Sequence, residues 1–590
     1  MQPVPFYTQM AERQLARARA LQLRYDRLAV VRLVVVLGLI PVFILAFDAG
    51  FWVGVILLAV VVPLLAFGIR YHLNIGKAAA RSQVQGQLAE AELLGMQHDF
   101  TRWDDGARYA NASHPYATDL DIFGRHSLYQ FINRTVTAIG SDLLADHLAT
   151  PAPHKVARQR REDSTILAED PNWCMWFRTL GSELKDNPAY ARRLLEWVDR
   201  PAVVTGTFAK VMLWLAPILA VAGVWYCLAQ PIWQFGLLFF VPTIVLLRRY
   251  GDVAATEHAY TSHAGQLLTG YRELLQQIEN RYGRLPGGAT EAIGQLAFYT
   301  RQLDVRNNAF VFLLEISGLW SLQWLSRLDK WRNQHREELE LWLTTLAEVD
   351  ARISWATLRF NRPEWTDPEL TDERVLRAKG LGHPLLPPES RITNDIDIST
   401  DGHIHLVTGS NMAGKSTWLR TVGTNIVLAR AGGPVCALHL RAAALQVWTS
   451  MRTQDDLSES TSSFYAELKR LKAIIEAVAR PEQQVFFLLD EILKGTNSRD
   501  RHTGSRALIR QLIRERGAGI IATHDLELAA LEHEPGSRVE NYAMEVQTKG
   551  AELVFDYKLH RGVSRSFNAT ALMARMGIEI DPEDIKLTHD

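Results

Sequence analysis

Cysteine is scarce in this chain. Three residues in 590, Cys174, Cys227 and Cys436, are too few and too scattered for a disulfide framework or a thiolate metal site, and none belongs to a C-x-x-C pair. A reducing compartment fits that usage. An excess of either charge is also missing: 64 Lys+Arg stand against 65 Asp+Glu, so no long-range field announces a polyanionic partner, and any basic patch must be local. A single core is excluded by length, because roughly 150 residues per domain gives about four structural units. No internal repeat is visible except in the hydrophobic residues, whose 47% share hides two blocks of a different character.

The first block runs without charge from Leu33 to Phe47 and again from Phe51 to Ile69, interrupted only by Asp48, Ala49 and Gly50. Leu28 to Val31 extend the first run to about 20 residues, with Arg32 near its end, where a long side chain can snorkel. The second block pairs Val211 to Leu228 with Ile232 to Leu247 across Ala229, Gln230 and Pro231. Both blocks read as transmembrane helical hairpins, residues 28–69 and 211–247, contacting the lipid bilayer. A cleaved signal peptide does not fit, since the first run starts late and is followed at once by a second. Arg13, Arg17, Arg19, Arg24 and Arg27 precede the first hairpin, and Arg70, Lys77 and Arg81 follow it. Arg200 and Lys210, then Arg248 and Arg249, flank the second. Lys and Arg therefore sit on one side of both hairpins, which predicts a multi-pass inner-membrane protein with both termini cytoplasmic.

Around the hairpins the chain is polar and helical in period. Residues 1–27 read as a basic helix, and His154, Lys155, Arg158, Arg160 and Arg161 as a solvated helix face. From about His335 to Phe360, Leu339, Trp342, Leu343, Leu346, Val349, Ile353, Ala356 and Phe360 recur every three or four positions and form a packing stripe. Pro363 ends that helix, and Gly380, Gly382, Pro384, Pro387 and Pro388 mark a link to a last domain, residues 380–590.

That domain carries the chemistry. A short apolar strand ending at Thr408 leads into Gly409, Ser410, Asn411, Met412, Ala413, Gly414, Lys415, Ser416 and Thr417, and a helical run follows from Trp418. This is a P-loop in its strand, loop and helix context. Backbone N–H groups turn toward phosphates at a helix N-terminus, Lys415 reaches the β- and γ-phosphates, and Ser416 holds magnesium. A second apolar strand, from Val485 to Leu489, delivers Asp490 and Glu491. Asp490 would position the magnesium, and Glu491 would orient or deprotonate the attacking water. A third, from Gly519, ends at His524, placed to sense the γ-phosphate. ATP and Mg2+ are the expected cofactors, and ATP hydrolysis the expected reaction.

The wording of these motifs resembles the MutS ATPases of DNA mismatch repair, within the ABC-type ATPase superfamily. Asn411 and Met412 are unusual for P-loops in general and similar to the MutS form. Asp455 to Phe464, with Glu467 after it, resembles the family's signature segment; the resemblance implies a homodimer in which Ser462, or its neighbour Ser463, reaches the nucleotide of the other subunit. Asp490 to Ser498 resembles the metal and catalytic acid motif, Thr523-His524 the histidine switch, and His383-Pro384 the dipeptide that opens the ATPase domain. By position, Ile392 and Asn394 flank the adenine. Asp119 to Gly124 and Asn133 to Gly140 are similar to the start of the family's helical core.

The implied architecture is an α+β multidomain protein: a mostly helical core and lever region, residues 78–210 and 248–362, with two transmembrane hairpins, followed by a C-terminal α/β P-loop ATPase domain of ABC/MutS type. The resemblance also implies DNA as a partner. One departure limits it, since no Phe in the chain is followed two places later by Glu, the element with which the family reads a mispaired base. Two other readings of the residues stand beside this one: an ABC-type transport ATPase, and an ATP-switched membrane scaffold that does not bind DNA.

Overall fold

The computed structural model describes residues 2–184, 186–261, 264–304, 309–410, 413–452, 463–480, 482–549 and 552–564. The chain divides into two compact units. The first comprises Met1–Leu93, Arg134–Leu143 and Asn172–Ala351, and the second Leu94–Asn133, Leu144–Pro171 and Arg352–Asp590. Residues 94–133, which the sequence places with the helical core, thus group with the C-terminal residues in the second unit.

The first unit is helical. Its basic N-terminal segment and first apolar run form one helix, α1 (Pro3–Ala49), and the second run opens α2 (Phe51–Met96). Gly50 makes the turn with φ +153°, a backbone geometry that side chains with a Cβ rarely adopt. Further along, the two helices approach closely at glycines: a Cβ at Gly76 would lie 2.7 Å from the Tyr25 ring, and one at Gly86 2.7 Å from Leu15. Beside Gly76, Tyr25 stacks on His72 with ring centres 4.0 Å apart. The apolar halves of both helices leave Val34, Leu45, Trp52, Leu64 and Phe67 exposed, a surface that water penalises and lipid accepts.

The second hydrophobic block folds differently from its expectation. Its first run is helix α3 (Thr207–Ala229), but Ile232 to Leu247 is not one helix. A 3-10 segment, Trp233–Phe240, precedes an α-helix, Val241–Thr261. The reason lies in two glycines. A Cβ at Gly236 would fall 2.3 Å from the Cys227 sulfur, and one at Gly223 3.0 Å from the Gly236 carbonyl oxygen, so the 3-10 segment lies directly on α3. Among the described residues, three helices, α1, α2 and α3, are long and apolar enough to cross a membrane.

Two fully buried carboxylates, Glu92 and Asp350, organise much of the polar core of this unit. Glu92 is fully buried and receives Arg134 Nε at 2.6 Å and Arg178 Nη2 at 2.7 Å. Burial pushes its pKa up, but the two guanidinium groups outweigh that and hold it at about 2. Asp350 accepts from the backbone N–H groups of Val136 and Thr137 and from the Thr137 hydroxyl, at 2.6 to 3.1 Å. Here burial wins over the hydrogen bonds and raises the carboxyl to about 7. Helices α4 (Ala309–Gly318) and α5 (Trp320–Asn361) follow, α5 with a kink at His335. The stripe predicted after that residue is real: Leu339, Trp342, Leu346, Val349, Ile353 and Ala356 are buried.

Among the described residues the second unit holds ten strands. In chain order they are β1 (Glu369–Leu370), β2 (Val375–Leu381), β3 (Asn394–Ser399), β4 (Ile404–Thr408), β5 (His439–Ala442), β6 (Leu445–Ser450), β7 (Gln484–Asp490), β8 (Ala518–Thr523), β9 (Val539–Lys549) and β10 (Glu552–Arg561). A small sheet has the order β1-β5-β2-β3, and the main sheet β10-β9-β4-β8-β7-β6. The main sheet is parallel from β9 to β6 and antiparallel only at the β9–β10 edge. Continuous apolar strands such as Phe486 to Leu489 and Ile520 to Ala522 are fully buried, as a parallel sheet covered on both faces requires. Helices α6 (Lys415–Ala431), α7 (Ser463–Val478) and α8 (Ser498–Arg514) connect the strands. The loops that carry the predicted site residues leave the carboxyl ends of β4, β7 and β8, where open α/β sheets bind ligands.

Candidate nucleotide site

Each part of the site leaves a buried strand at its carboxyl end. After β4, Gly409 has φ +149°, and a Cβ there would lie 2.3 Å from the Met544 carbonyl oxygen. Gly414, at φ +97°, sits immediately before α6 and faces the Tyr557 ring, 2.8 Å from where its Cβ would be. Both positions need glycine. The loop thus delivers its chain to the N-terminus of a 17-residue helix, where free N–H groups and the helix dipole favour an anion. Lys415 is buried and donates to the carbonyls of Gly409 at 2.5 Å and Ser410 at 2.9 Å. Burial lowers its pKa, with Glu491 and Asp490 pulling the other way. Ala413 is buried, and Thr417 is exposed on the first turn of α6. Asn411 and Met412 lie outside the described residues.

Across the sheet, β7 brings Asp490 to the first turn of α6, where the Ser416 hydroxyl donates to Asp490 Oδ2 at 2.5 Å. A hydroxyl and a carboxylate oxygen side by side are hard donors of the kind magnesium takes while keeping much of its water, so these two residues fit the ion that the sequence predicts. Glu491 follows with φ +54° and donates its N–H to the Ala522 carbonyl at 2.9 Å. A left-handed conformation at a non-glycine residue costs on the order of 1–3 kcal/mol and is held here by the neighbouring strand. The side chain of Glu491 lies between Lys494 Nζ at 3.4 Å and His524 Nδ1 at 3.7 Å. His524 is 45% exposed just past β8. The structure therefore brings Lys415, Ser416, Asp490, Glu491 and His524 together.

Other predicted residues have different placements. Ile392 is exposed in the loop before β3. Asn394 is buried, donates to the Tyr557 carbonyl at 3.0 Å and accepts from Leu559 N–H at 2.9 Å, so its amide stitches β3 to β10. His383 is buried, and burial, then Arg420, lowers its pKa to about 4. Its ring nitrogen accepts from Leu385 N–H, which makes it a loop anchor. Glu467 is buried and its carboxylate accepts from Leu493 N–H, fixing the turn after Glu491. The signature residue Ser462 and the side chain of Ser463 lie outside the described residues.

Two features had no sequence signal, and a third is a contact that the motif around Asp119 did not announce. Tyr557, at φ +52°, lays its ring beside Gly414 and stacks on Phe555; a lone aromatic in an edge strand carries no motif. His502 on α8 pairs with Asp525 at 3.0 Å, directly after His524. Asp119 accepts from the N–H groups of Met451 and Arg452 at 3.1 and 3.0 Å, which fastens the segment before residue 133 to the end of β6. Arg470 adds to this by donating to the carbonyls of Thr449 and His114.

With this geometry in view, comparison with known proteins is decisive for the C-terminal part. Residues 405–578 match the family model of MutS domain V. The chain carries a MutS domain V. Similar relatives include the DNA mismatch repair protein MutS of Acetivibrio thermocellus, 31% identical over 241 residues, which is 39% of this chain and 27% of that protein. The MutS of Methanosarcina mazei is 29% identical over 277 residues, 45% of this chain and 30% of the relative. That of Thermotoga maritima is 30% identical over 237 residues, 39% and 29% of the two chains. The chain thus spans between about a quarter and three tenths of the length of these curated relatives. MutS domain V is an ATPase domain, and the five grouped side chains lie in it, Lys415 and Ser416 on the P-loop side and Asp490, Glu491 and His524 on the acid side.

Proposed function

We propose that this chain is a membrane-anchored MutS-type ATPase that binds and hydrolyses ATP at a dimer interface and couples the nucleotide state to DNA. The observation that carries the reading is the Ser416–Asp490 contact at 2.5 Å with Glu491 next in the chain: the metal-side and water-side groups of a phosphoryl-transfer site stand at one point of the sheet. In this reading the N–H groups of residues 409–417 and the Lys415 ammonium bind the phosphates, while Ser416 and Asp490 hold Mg2+. When bound, that ion neutralises charge on the β- and γ-phosphates. Glu491 accepts the proton of the attacking water as it adds to the γ-phosphorus, and the bond to the β-phosphate oxygen breaks, releasing ADP and phosphate. His524, against Glu491, orients that carboxylate and senses whether the γ-phosphate is present. By resemblance, Ser462 or Ser463 of a second copy closes the site.

Anchoring through α1, α2 and α3 is supported by their length and apolar surface. Coupling to DNA is supported by the MutS relatives, whereas mismatch reading is not inherited, because the chain has no Phe-x-Glu element. The test is the steady-state ATPase rate of the full chain in lipid nanodiscs at one fixed moderate salt concentration, without DNA and with matched, mismatched and branched duplexes. Stimulation by one of these DNAs supports the coupling. A basal rate indifferent to all of them refutes it and leaves the ATPase assignment standing.

A further inference from the structure

One cavity lies within the helical unit. It has a volume of about 720 Å³ and is walled by Pro217, Val224, Trp225 and Leu228 of α3 on one side, and by Leu314 of α4 and Trp320, Trp324 and Arg327 of α5 on the other. Its wall is apolar apart from Ser317, Gln323 and Arg327, and Arg327 is the sole ionisable residue in it.

The axis of the cavity can be read from two anchors. Pro217 has no N–H, so the Leu213 carbonyl in α3 loses its helical partner, and Gln323 Nε2 donates to it instead at 2.9 Å. Six residues further along α5, Asp329 accepts from the N–H groups of Val203 and Val204 at 2.9 and 2.8 Å, just before α3 begins. This part of α5 therefore runs antiparallel to α3. Arg327 marks the end nearer the start of α3, and Leu228 the far end. From Pro217 to Leu228, the part of α3 that lines the cavity, is roughly 17 Å of helix rise, about half of the ~30 Å hydrocarbon thickness of a bilayer.

Polar groups cluster at the Arg327 end. The Arg327 guanidinium stands over the Trp324 ring, 4.6 Å from its centre, and donates only to the oxygens of Gln323, at 3.3 and 3.4 Å. Among the described residues no carboxylate pairs with it. The indole N–H of Trp324 is buried without a hydrogen-bond partner among the described residues, which leaves an unsatisfied donor in the wall. Trp320 packs edge-on against Trp324. Tryptophans beside an arginine at one end of a long apolar slot have the character of a membrane interface.

We infer that this cavity binds one anionic phospholipid of the cytoplasmic leaflet, its phosphate on Arg327 and an acyl chain along α3 toward Leu228. The inference rests on the reading of α3 as a membrane span with Thr207 on the cytoplasmic side. A free phosphate has no use for the apolar slot, and a zwitterionic lipid gains less at an arginine with no acidic partner among the described residues.

The test uses the full chain extracted in mild detergent and titrated with phosphatidylglycerol or phosphatidylcholine, with bound lipid counted by native mass spectrometry. R327Q removes the charge, R327K restores it, and A220F fills the slot at a buried wall position. The expected result is one saturable phosphatidylglycerol per chain, bound about tenfold more weakly in R327Q, recovered in part by R327K and lost in A220F, with unchanged ATPase rates showing that the variants fold. Equal binding of the two lipids, or binding unaltered by R327Q and A220F, overturns the inference. Alkaline carbonate extraction of membranes separates the two levels: a chain that stays in the membrane but fails the lipid titration refutes the lipid site alone, and a chain that carbonate releases refutes the membrane reading together with it.

Discussion

The Ser416 hydroxyl and the Asp490 carboxylate, 74 positions apart in the chain, are joined by a 2.5 Å hydrogen bond at the carboxyl edge of the main sheet. That contact ties the first turn of α6 to the end of β7, so the phosphate-binding and acid-bearing parts of the site share one rigid support. D490N keeps the shape and removes the charge. It should lower magnesium-dependent ATP turnover by roughly 10²-fold, and nucleotide binding should lose its dependence on magnesium. An unchanged rate titrated against free Mg2+ would remove Asp490 from the metal side.

Lys415 is held under the loop by the carbonyls of Gly409 and Ser410. K415A deletes the only cation of the P-loop, and ATP affinity should fall about 10- to 100-fold, the usual worth of a charge-assisted contact. Isothermal titration with a non-hydrolysable ATP analogue measures this. Normal affinity would mean that the triphosphate lies elsewhere.

In the proposed reaction Glu491 accepts the proton of the attacking water. E491Q preserves shape and hydrogen bonding but not basicity, so hydrolysis should drop about 10²- to 10⁴-fold while ATP still binds. The ATP-bound variant should then accumulate as a dimer in size-exclusion chromatography with light scattering. A variant that stays monomeric with saturating ATP argues against a site closed by two copies.

Asp350 and Glu92, both fully buried, give the helical unit opposite pH responses. Asp350, raised to about 7 in the fold, contributes stability that is complete below the usual carboxylate range and is lost as pH rises through about 7. Glu92, lowered to about 2, contributes stability that is present above the usual carboxylate range and is lost as pH falls toward 2. Thermal unfolding of D350N should therefore show a flatter decline in Tm between pH 4 and pH 7 than the parent chain. E92Q should unfold at lower temperature at pH 7, since two buried guanidinium groups lose their counter-charge. A parent Tm independent of pH across the D350N window would contradict the Asp350 assignment.

Helix pairing at the base of the first hairpin depends on Gly86, where a Cβ would meet Leu15 at 2.7 Å. G86V should cost about 1–3 kcal/mol by overpacking, while G86A costs less because Leu15 can shift. Limited proteolysis between α1 and α2 reports the difference; equal resistance of both variants and the parent would show that the helices do not pack there.

Much of the candidate site was legible because its signals are local. A P-loop is nine consecutive residues between a strand and a helix, and Asp490-Glu491 end an apolar run that only a buried strand explains. Asn394 shows the limit: its position matched the adenine side, yet its amide is taken by β10, 163 positions away. Tyr557 was silent for the converse reason, since it reaches Gly414 only once the edge strand folds back. The second hydrophobic block read as two spans because hydropathy counts apolar residues and is blind to the Gly223–Gly236 approach that lays a 3-10 segment on α3.

The sequence alone set the local elements: apolar runs of membrane length, a turn at Gly50, the helix period of the Leu339 stripe, and the residue types from which a phosphate and metal site is proposed. These follow from interactions within a few positions, where spacing alone sets which side chains share a face. Tertiary structure decided the rest. It placed residues 94–133 with the nucleotide unit, set Glu92 between two arginines, brought Ser416 to Asp490 and opened the slot between α3 and α5. Each of those depends on which distant backbones approach one another, and close approach is governed by burial and by single glycines and prolines rather than by any local pattern.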